Sequence, residues 1–364
     1  MTGGKKLYFA VTNDLSFDQR MIRICTTLAA QGYMVTLVGR KRGDSIDLKD
    51  MKFSQKRLHC FFNKGILFYA EFNLRLFVYF LLEKPDLVCA IDLDTIIPCY
   101  FISKIKRAKR VYDAHELFCE MKEIVTRPRV YKIWKRIEQY FVPEFKYGYT
   151  VNDLIAREFA NLYGANYTVI RNLPVLLNST IPEKKERYIL YQGAVNEGRS
   201  FETLIPAMKK VEARLIICGD GNFMQQAKHL VREHQLEHKV IFEGKKTPQD
   251  LLQYTLHAWA GITLFENLGL SNYLSLGNRF FDYMHAGIPQ VCVNYPLYRS
   301  LNSKQPFALL IDKVSEDSIG DSLNRLLREE VLYHTLQQNC LEMRLQLNWQ
   351  KEEILLIAFY KNLI

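Results

Sequence analysis

No stretch of this 364-residue chain stays apolar and uncharged for the roughly 20 residues that a membrane span requires. The nearest approach, residues 66–82, carries Glu71, Asn73 and Arg75 and reads as a helix of a soluble domain. Cysteine is sparse and unpaired. Eight are scattered singly at 25, 60, 89, 99, 119, 218, 292 and 340, with no C-x-x-C pair and no metal-ligand spacing. That pattern excludes a disulfide scaffold and reads as buried free thiols in a reducing compartment. Lys5-Lys6 precedes only about six apolar residues before Asn13-Asp14, too few for a secretory leader. The first strand-to-helix turn lacks G-x-G-x-x-G, which counts against a dinucleotide-dependent dehydrogenase. Close repeats and low-complexity tracts are absent too.

Charge, in contrast, is abundant and lopsided. The chain has a formal charge of +10. Residues 1–180 hold 28 Lys+Arg against 18 Asp+Glu, and residues 181–364 hold 21 of each. The two halves therefore meet different partners. No nucleic-acid recognition motif accompanies the excess, so an anionic membrane or a phosphate-bearing acceptor is the better fit and nucleic acid is not expected.

Short apolar runs alternate with helical periodicity, the signature of parallel sheets with crossover helices. The first half predicts strands at Leu7–Thr12, Val35–Gly39, Leu87–Ile91, Arg110–Tyr112 and Tyr149–Val151. Helical stretches lie near Asp18–Ala30, Tyr69–Leu82, Thr95–Lys106, Arg129–Tyr140 and Leu154–Tyr163. A segment rich in Pro, Asn, Ser, Lys and Glu interrupts the series, which restarts with strands at Tyr188–Gly193, Arg214–Gly219, Val240–Glu243, Gly261–Phe265 and Gln290–Asn294. The expected architecture is α/β with two Rossmann-like, doubly wound domains facing across a cleft. Residues 1–172 form the first domain, 173–187 a linker and 188–346 the second domain. Residues 347–364 form a terminal helix that either closes on its own domain or crosses back to the first. Ligands of such sheets bind beyond the carboxyl ends of the strands.

Candidate chemistry collects at those ends. In YQGAVNEGRSFETLI, Gly193 ends a strand and Arg199 opens a helix, a pairing that suits a diphosphate. Gly219 ends the next strand in IICGDGN, another point of close backbone access. The densest segment is FENLGLSNYLSLGNRFFDYMHAGIPQV. Glu266 follows a strand, a helix starts at Gly277-Asn278, Arg279 adds a cation to its first turn, and Asp282 follows on nearly the same face. Asp282 is placed to accept two ribose hydroxyls, or simply to complement the helix dipole. In the first half, Asp113, His115 and Glu116 follow one strand, and Asp92 and Asp94 follow another. These carboxylates could bind acceptor hydroxyls, although for Asp94 a helix cap is the favoured role. Asp18 and Arg20 open the first helix. Arg127 to Phe145 makes a basic amphipathic helix with Val130, Ile133, Trp134, Ile137 and Tyr140-Phe141 on one face. It suits an anionic membrane surface, and it equally suits packing on the sheet.

Taken in order, VTNDLSFDQRMIR…LAAQGYMV, AIDLDTIIP, RVYDAHELF, VIRNLP, YQGAVNEGRSFETLI and GNRFFDYMHAGIPQV resemble the family 4 retaining glycosyltransferases of the GT-B fold. The likeness runs nearly end to end and is greatest to a bacterial branch that assembles surface polysaccharides. The resemblance implies transfer of a sugar from a nucleotide diphosphate donor (UDP or GDP) to a carbohydrate or lipid-linked acceptor. It implies no cofactor and no metal at the diphosphate, and a cytoplasmic enzyme, with the inner face of the membrane as a working place. By the same resemblance Arg199 and Arg279 serve the diphosphate, Asp282 the ribose and the loop from Gly244 to Thr247 the base. His115 lies beside the reacting sugar. One position departs from the family: where the first of two glutamates belongs stands Leu274, and Glu266 is the substitute carboxylate. That departure keeps a non-catalytic nucleotide-sugar-binding protein, and a nucleotide-sugar 2-epimerase, as alternatives.

Overall fold

In the computed structural model the described residues are 4–16, 18–43, 45–176, 181–182 and 184–364. Part of the expected linker, 177–180 and 183, falls outside them. The chain divides into two compact units: the first runs through Asn172 and regains Glu352–Ile364, and the second is Leu173–Lys351.

Unit 1 contains strand β1 (Lys6–Ala10), helix α1 (Gln19–Ala30), β2 (Met34–Lys41), β3 (Ser54–His59), α2 (Gly65–Leu82), β4 (Leu87–Ile91), α3 (Ile96–Lys106), β5 (Lys109–Ala114), α4 (Lys122–Val125), α5 (Pro128–Phe141), β6 (Tyr147–Thr150), α6 (Asp153–Tyr163) and β7 (Thr168–Val169). Its seven strands are all parallel, in the order β3-β2-β1-β4-β5-β6-β7. Right-handed crossovers put α2, α3, α5 and α6 on one face and α1 on the other. Side chains on β1 follow the strand's period of two: Tyr8 meets Phe80 of α2 at 5.6 Å, whereas Phe9 meets Tyr360 at 6.0 Å on the opposite face.

Unit 2 contains β8 (Glu186–Gln192), α7 (Phe201–Ala207), β9 (Arg214–Cys218), α8 (Met224–Glu233), β10 (Val240–Phe242), α9 (Pro248–His257), β11 (Ala258–Thr263), α10 (Leu270–Tyr273), α11 (Asn278–His285), β12 (Gln290–Val293), α12 (Pro296–Ser303), β13 (Ala308–Ile311), α13 (Glu316–Arg328) and α14 (Glu330–Gln346). Its six parallel strands run β10-β9-β8-β11-β12-β13. Again one strand feeds two cores. Ile189 and Tyr191 of β8 join the larger cluster with Phe201, Phe280 and Phe281. Tyr188 and Leu190 join a smaller one with Leu256 and Tyr283.

The last helix, α15 (Trp349–Leu363), starts in unit 2 and belongs to unit 1 from Glu352 onward. Glu352 is buried and accepts from the Arg171 backbone N–H at 2.8 Å and its guanidinium at 3.2 Å. Thr27 of α1 donates to Glu353 at 3.0 Å, and Leu356 and Tyr360 are fully buried.

Two expectations change. Strands β3, β7 and β13, which periodicity passed over, are edge strands: β3 reads SQKRLH, with Leu58 its one core residue, and β7 has two residues. The charged residues of β3 resist unwanted pairing at the sheet edge and leave it no apolar run to read, whereas β13, ALLI, is a short apolar run that was passed over. Asp94 is not a cap. It sits inside a short 3₁₀ turn, Leu93–Thr95, and accepts from Thr12 Oγ1 at 2.5 Å. Neither that turn nor α3 carries a side-chain cap.

Candidate functional site

The strand ends of unit 1 hold a closed set of charges. Asp18 caps α1, accepting from Met21 N at 3.1 Å. That turns Arg20 inward, where it is 4 % exposed and pairs with the fully buried Asp113 at 2.9 Å. The second Asp113 oxygen faces His115 Nε2 at 3.1 Å, and Asp92 faces His115 Nδ1 at 3.3 Å. Asp92 also accepts from the His115 backbone N–H at 2.9 Å, while its own N–H donates to the Asp113 carbonyl at 2.9 Å. This double tie holds Asp92 at φ 56°, a conformation that costs a non-glycine residue about 1–3 kcal/mol.

Burial pulls the His115 pKa down, but Asp113 and Asp92 outweigh it and raise it to about 9. His115 is therefore an imidazolium at neutral pH with both ring nitrogens engaged. Asp113 stays ionised against burial, held low by Arg20 and His115. Asp92 is pushed up, first by burial and then by Glu116 and Asp94, against the pull of His115. Burial also raises Asp94 to about 7, with Thr12 opposing and Glu116 assisting. Of the acceptor-side residues named from sequence, Asp18, Arg20 and Asp113 are thus committed to a cap and an ion pair. His115 and Asp92 form one cluster, and Glu116, half-buried, acts on it by charge.

Unit 2 is organised differently. The turns after β8 and β9 touch: Gly193 N–H donates to the Cys218 carbonyl at 3.0 Å, and a Cβ on Gly219 would lie 1.8 Å from the Gly193 oxygen. Gly193 itself has φ +113°, open to glycine alone, and the nearest side chain to it is Arg279. Arg279, in the first turn of α11, is 7 % exposed and lies over the Tyr191 ring at 4.2 Å and the Phe265 ring at 5.4 Å. Among the described residues no carboxylate pairs with it, and its Nη1 has no hydrogen-bond partner. A buried guanidinium facing rings and a glycine turn is a costly arrangement that an anion would relieve. The α11 N-terminus brings no side-chain cap of its own; Gly277 N–H donates to Tyr298 Oη at 2.8 Å.

The other unit 2 residues named from sequence sit on the turns after β8, β10 and β11 and on α11. The Arg199 guanidinium stacks on Phe265 at 4.4 Å, next to Ser200 in the left-handed region at φ 59°. Glu266 is tied to the same loop, its N–H donating to the Gly198 carbonyl at 3.0 Å. Asp282 accepts from Gln192 Nε2 at 2.8 Å, and Gln192 Oε1 in turn accepts from Thr255 at 2.7 Å. This buried chain, which fixes the orientation of Asp282, was missed in the sequence. Its one signal was a glutamine at the end of an otherwise apolar strand. Asn278 lies in the first turn of α11, and Gly244, at φ +68°, follows β10 and leads to Thr247, the cap of α9. Leu274 is buried at the end of α10, so the family's first acid has no counterpart at that position.

Two parallel sheets of this order, each with its polar residues beyond the strand ends, define the GT-B class of folds. Sucrose-phosphate synthase from Thermosynechococcus elongatus superposes with a TM-score of 0.78 at 17 % identity over 99 % of each chain. Anabaena HepE, solved with UDP and glucose, superposes at 0.77 and 12 % over 98 % of this chain and 99 % of that one. Residues 177–343 match the model of the glycosyl transferases group 1, so the second unit is similar to that family. A curated relative, the N-acetylgalactosamine-N,N'-diacetylbacillosaminyl-diphospho-undecaprenol 4-alpha-N-acetylgalactosaminyltransferase of Campylobacter jejuni, is 26 % identical over 151 residues. That match spans 41 % of this chain and 39 % of the relative's length.

Arg279→Gln should weaken binding of a nucleoside diphosphate by about 1.5–3 kcal/mol, the range for a charged hydrogen bond. Isothermal titration with UDP and GDP checks this, and unchanged affinity would remove Arg279 from the site. His115 generates a second expectation. Its folded pKa lies above its ordinary value, so its stabilising effect is complete below about pH 6.5 and is lost as pH rises through about 9. Urea unfolding of unit 1 should lose roughly 2–3 kcal/mol across that window, and most of this slope should vanish in His115→Gln. Parallel slopes in the two proteins would show that His115 is not held as a cation.

Proposed function

We propose that this chain is an enzyme that transfers a sugar from a nucleoside diphosphate to a hydroxyl of a carbohydrate or lipid-linked acceptor, in surface-polysaccharide assembly. The observation that carries this reading is the buried, carboxylate-free Arg279 beside the Gly193 turn. It lies in the part of the chain that matches the group 1 family. Breaking the bond between sugar and diphosphate builds charge on the leaving oxygens. Arg279, Arg199 and the α11 amides would offset that charge without reorganising, which is where such sites gain most. Asp282, steadied by Gln192, would hold the ribose, and the loop from Gly244 to Thr247 would border the base. UDP is the first donor base to test, because HepE was solved with UDP and with UDP-glucose. The acceptor named for the Campylobacter relative is a saccharide carried on diphospho-undecaprenol, which favours a lipid-linked one here.

In this reading Glu266 replaces the carboxylate lost at Leu274 and contacts the sugar. His115, with both ring nitrogens engaged, positions Asp92 rather than exchanging a proton. Cations in place of a metal should make donor use insensitive to chelator. Incubation of the protein with UDP- and GDP-sugars should therefore release nucleoside diphosphate with or without EDTA. Glu266→Gln should slow that release by about 10²–10³-fold at unchanged UDP affinity. Binding without any release would favour the non-catalytic alternative, and strict dependence on Mn²⁺ or Mg²⁺ would remove the guanidinium-based account.

We further propose a cytoplasmic enzyme working at an anionic membrane surface. Support comes from α2, an 18-residue helix of mean hydropathy 1.5 with 22 % of its residues buried. Phe72, Leu76 and Phe80 bury one side in unit 1, and Leu67, Leu74, Val78 and Leu82 remain exposed. That pattern suits a helix lying on a bilayer rather than crossing it. On the neighbouring α3, Phe101 and Ile105 are exposed near Lys104 and Lys106, and α5 adds Arg129, Lys132 and Arg136. Each such cation is worth about 1 kcal/mol near an anionic surface. Co-sedimentation should recover the protein with anionic liposomes at low salt and not at high salt; equal recovery with neutral liposomes would contradict this.

A further inference from the structure

Unit 1 holds a second recess, whose floor at Asp94 adjoins the charged cluster. Helices α2 and α5 stand apart around a cavity of about 600 Å³, a size usual for small-molecule sites. Tyr69 and Trp134 meet edge to face at 5.2 Å, Trp134 meets Phe118 at 4.9 Å, and Ile97 and Ile137 complete a largely apolar lining. Burial distinguishes a mouth from a floor. Ile66 and Ile133 line the cavity yet are 69 % and 48 % exposed, while Asp94 and Leu93 are 9 % and 0 % exposed.

The floor is polar. Asp94 spends one carboxyl oxygen on Thr12, and Asn73 donates to the Asp94 and Tyr69 carbonyls at 2.9 and 2.8 Å. Asn73 Oδ1 is buried without a hydrogen-bond partner among the described residues. An unpaired buried carbonyl oxygen costs about 1–3 kcal/mol, and a donor from a ligand would recover it.

We infer that this cavity is the acceptor pocket for a lipid alcohol, a hydroxyl carried directly on a hydrocarbon chain. The chain enters between Ile66 and Ile133, and the hydroxyl donates to Asn73 Oδ1 beside the Asp94 carboxyl. A free saccharide would leave the apolar walls unused, and a bare hydrocarbon would leave Asn73 unpaired. Burial raises Asp94 to about 7, so its carboxyl keeps part of its negative charge at neutral pH, and the floor tolerates a hydroxyl better than it would a phosphate. This inference rests on the transferase reading for its purpose, but not for its geometry.

Calorimetry of the full chain with 1-hexanol, 1-octanol and 1-decanol, below their solubility limits, tests it. Each added methylene should tighten binding roughly fourfold until the cavity is full. The methyl ether of 1-decanol, which cannot donate, should bind about fivefold more weakly. Ala70→Trp, which fills the cavity, should abolish binding of the alcohols. Asn73→Leu leaves the cavity open and should erase the preference for alcohol over ether, which keeps the test decisive if the tryptophan variant misfolds. No binding, or binding without dependence on chain length, or an Ala70→Trp variant that folds and still binds, would overturn the pocket. UDP-sugar turnover on hydrophilic acceptors with no alcohol binding would remove this inference and keep the transferase. Alcohol binding without nucleotide binding would do the reverse.

Discussion

Every strand in both sheets is parallel, and that single constraint decides where chemistry can be placed. Parallel strands send all their carboxyl-terminal loops to one edge, and helices seal both faces. Polar residues that follow a strand are therefore collected at that edge whether or not they pair with one another. The glycine turns of unit 2 are this crowding at its limit, with the Gly193 and Gly219 backbones in contact. The ion pairs of unit 1 are the same crowding solved by charge, since Arg20, Asp113, His115 and Asp92 satisfy one another in a line.

The two units thus treat a buried cation in opposite ways. In unit 1 the guanidinium of Arg20 and the imidazolium of His115 each find a carboxylate within the unit. In unit 2 the guanidinium of Arg279 finds two aromatic faces and a glycine turn, and among the described residues no carboxylate balances it. Aromatic faces return roughly 0.5–2 kcal/mol, less than the cost of burying the charge. A site that tolerates this imbalance is poised for an anionic ligand, and a diphosphate supplies two charges at a helix start.

Much of this was legible in sequence because the central strands carry apolar runs. Leu87–Ile91 carries five buried residues and was read without error at either end. The edge strand β3 was lost because one side of it meets solvent, as SQKRLH shows, and β7 because two residues make no pattern. The positions of Gly193 and Arg279 were legible because spacing alone puts them at a strand end and a helix start. Pairings across the sheet were not. Nothing in the local pattern tells that Arg20 reaches Asp113, 93 residues away, or that Gln192 reaches Asp282, 90 away. The Asp94 cap failed for a related reason: a carboxylate before a helix has a local role by default, and here the distant Thr12 hydroxyl displaced it.

The central claim is that unit 2 binds through the diphosphate, at Arg279. Calorimetric titration of the unaltered chain with UDP, UMP and uridine tests it most directly. Loss of each phosphate should cost affinity in steps, with UDP at least 100-fold tighter than uridine at low salt, about 2.7 kcal/mol. Uridine binding as tightly as UDP would contradict the account, because the buried guanidinium would then have no part in holding the ligand.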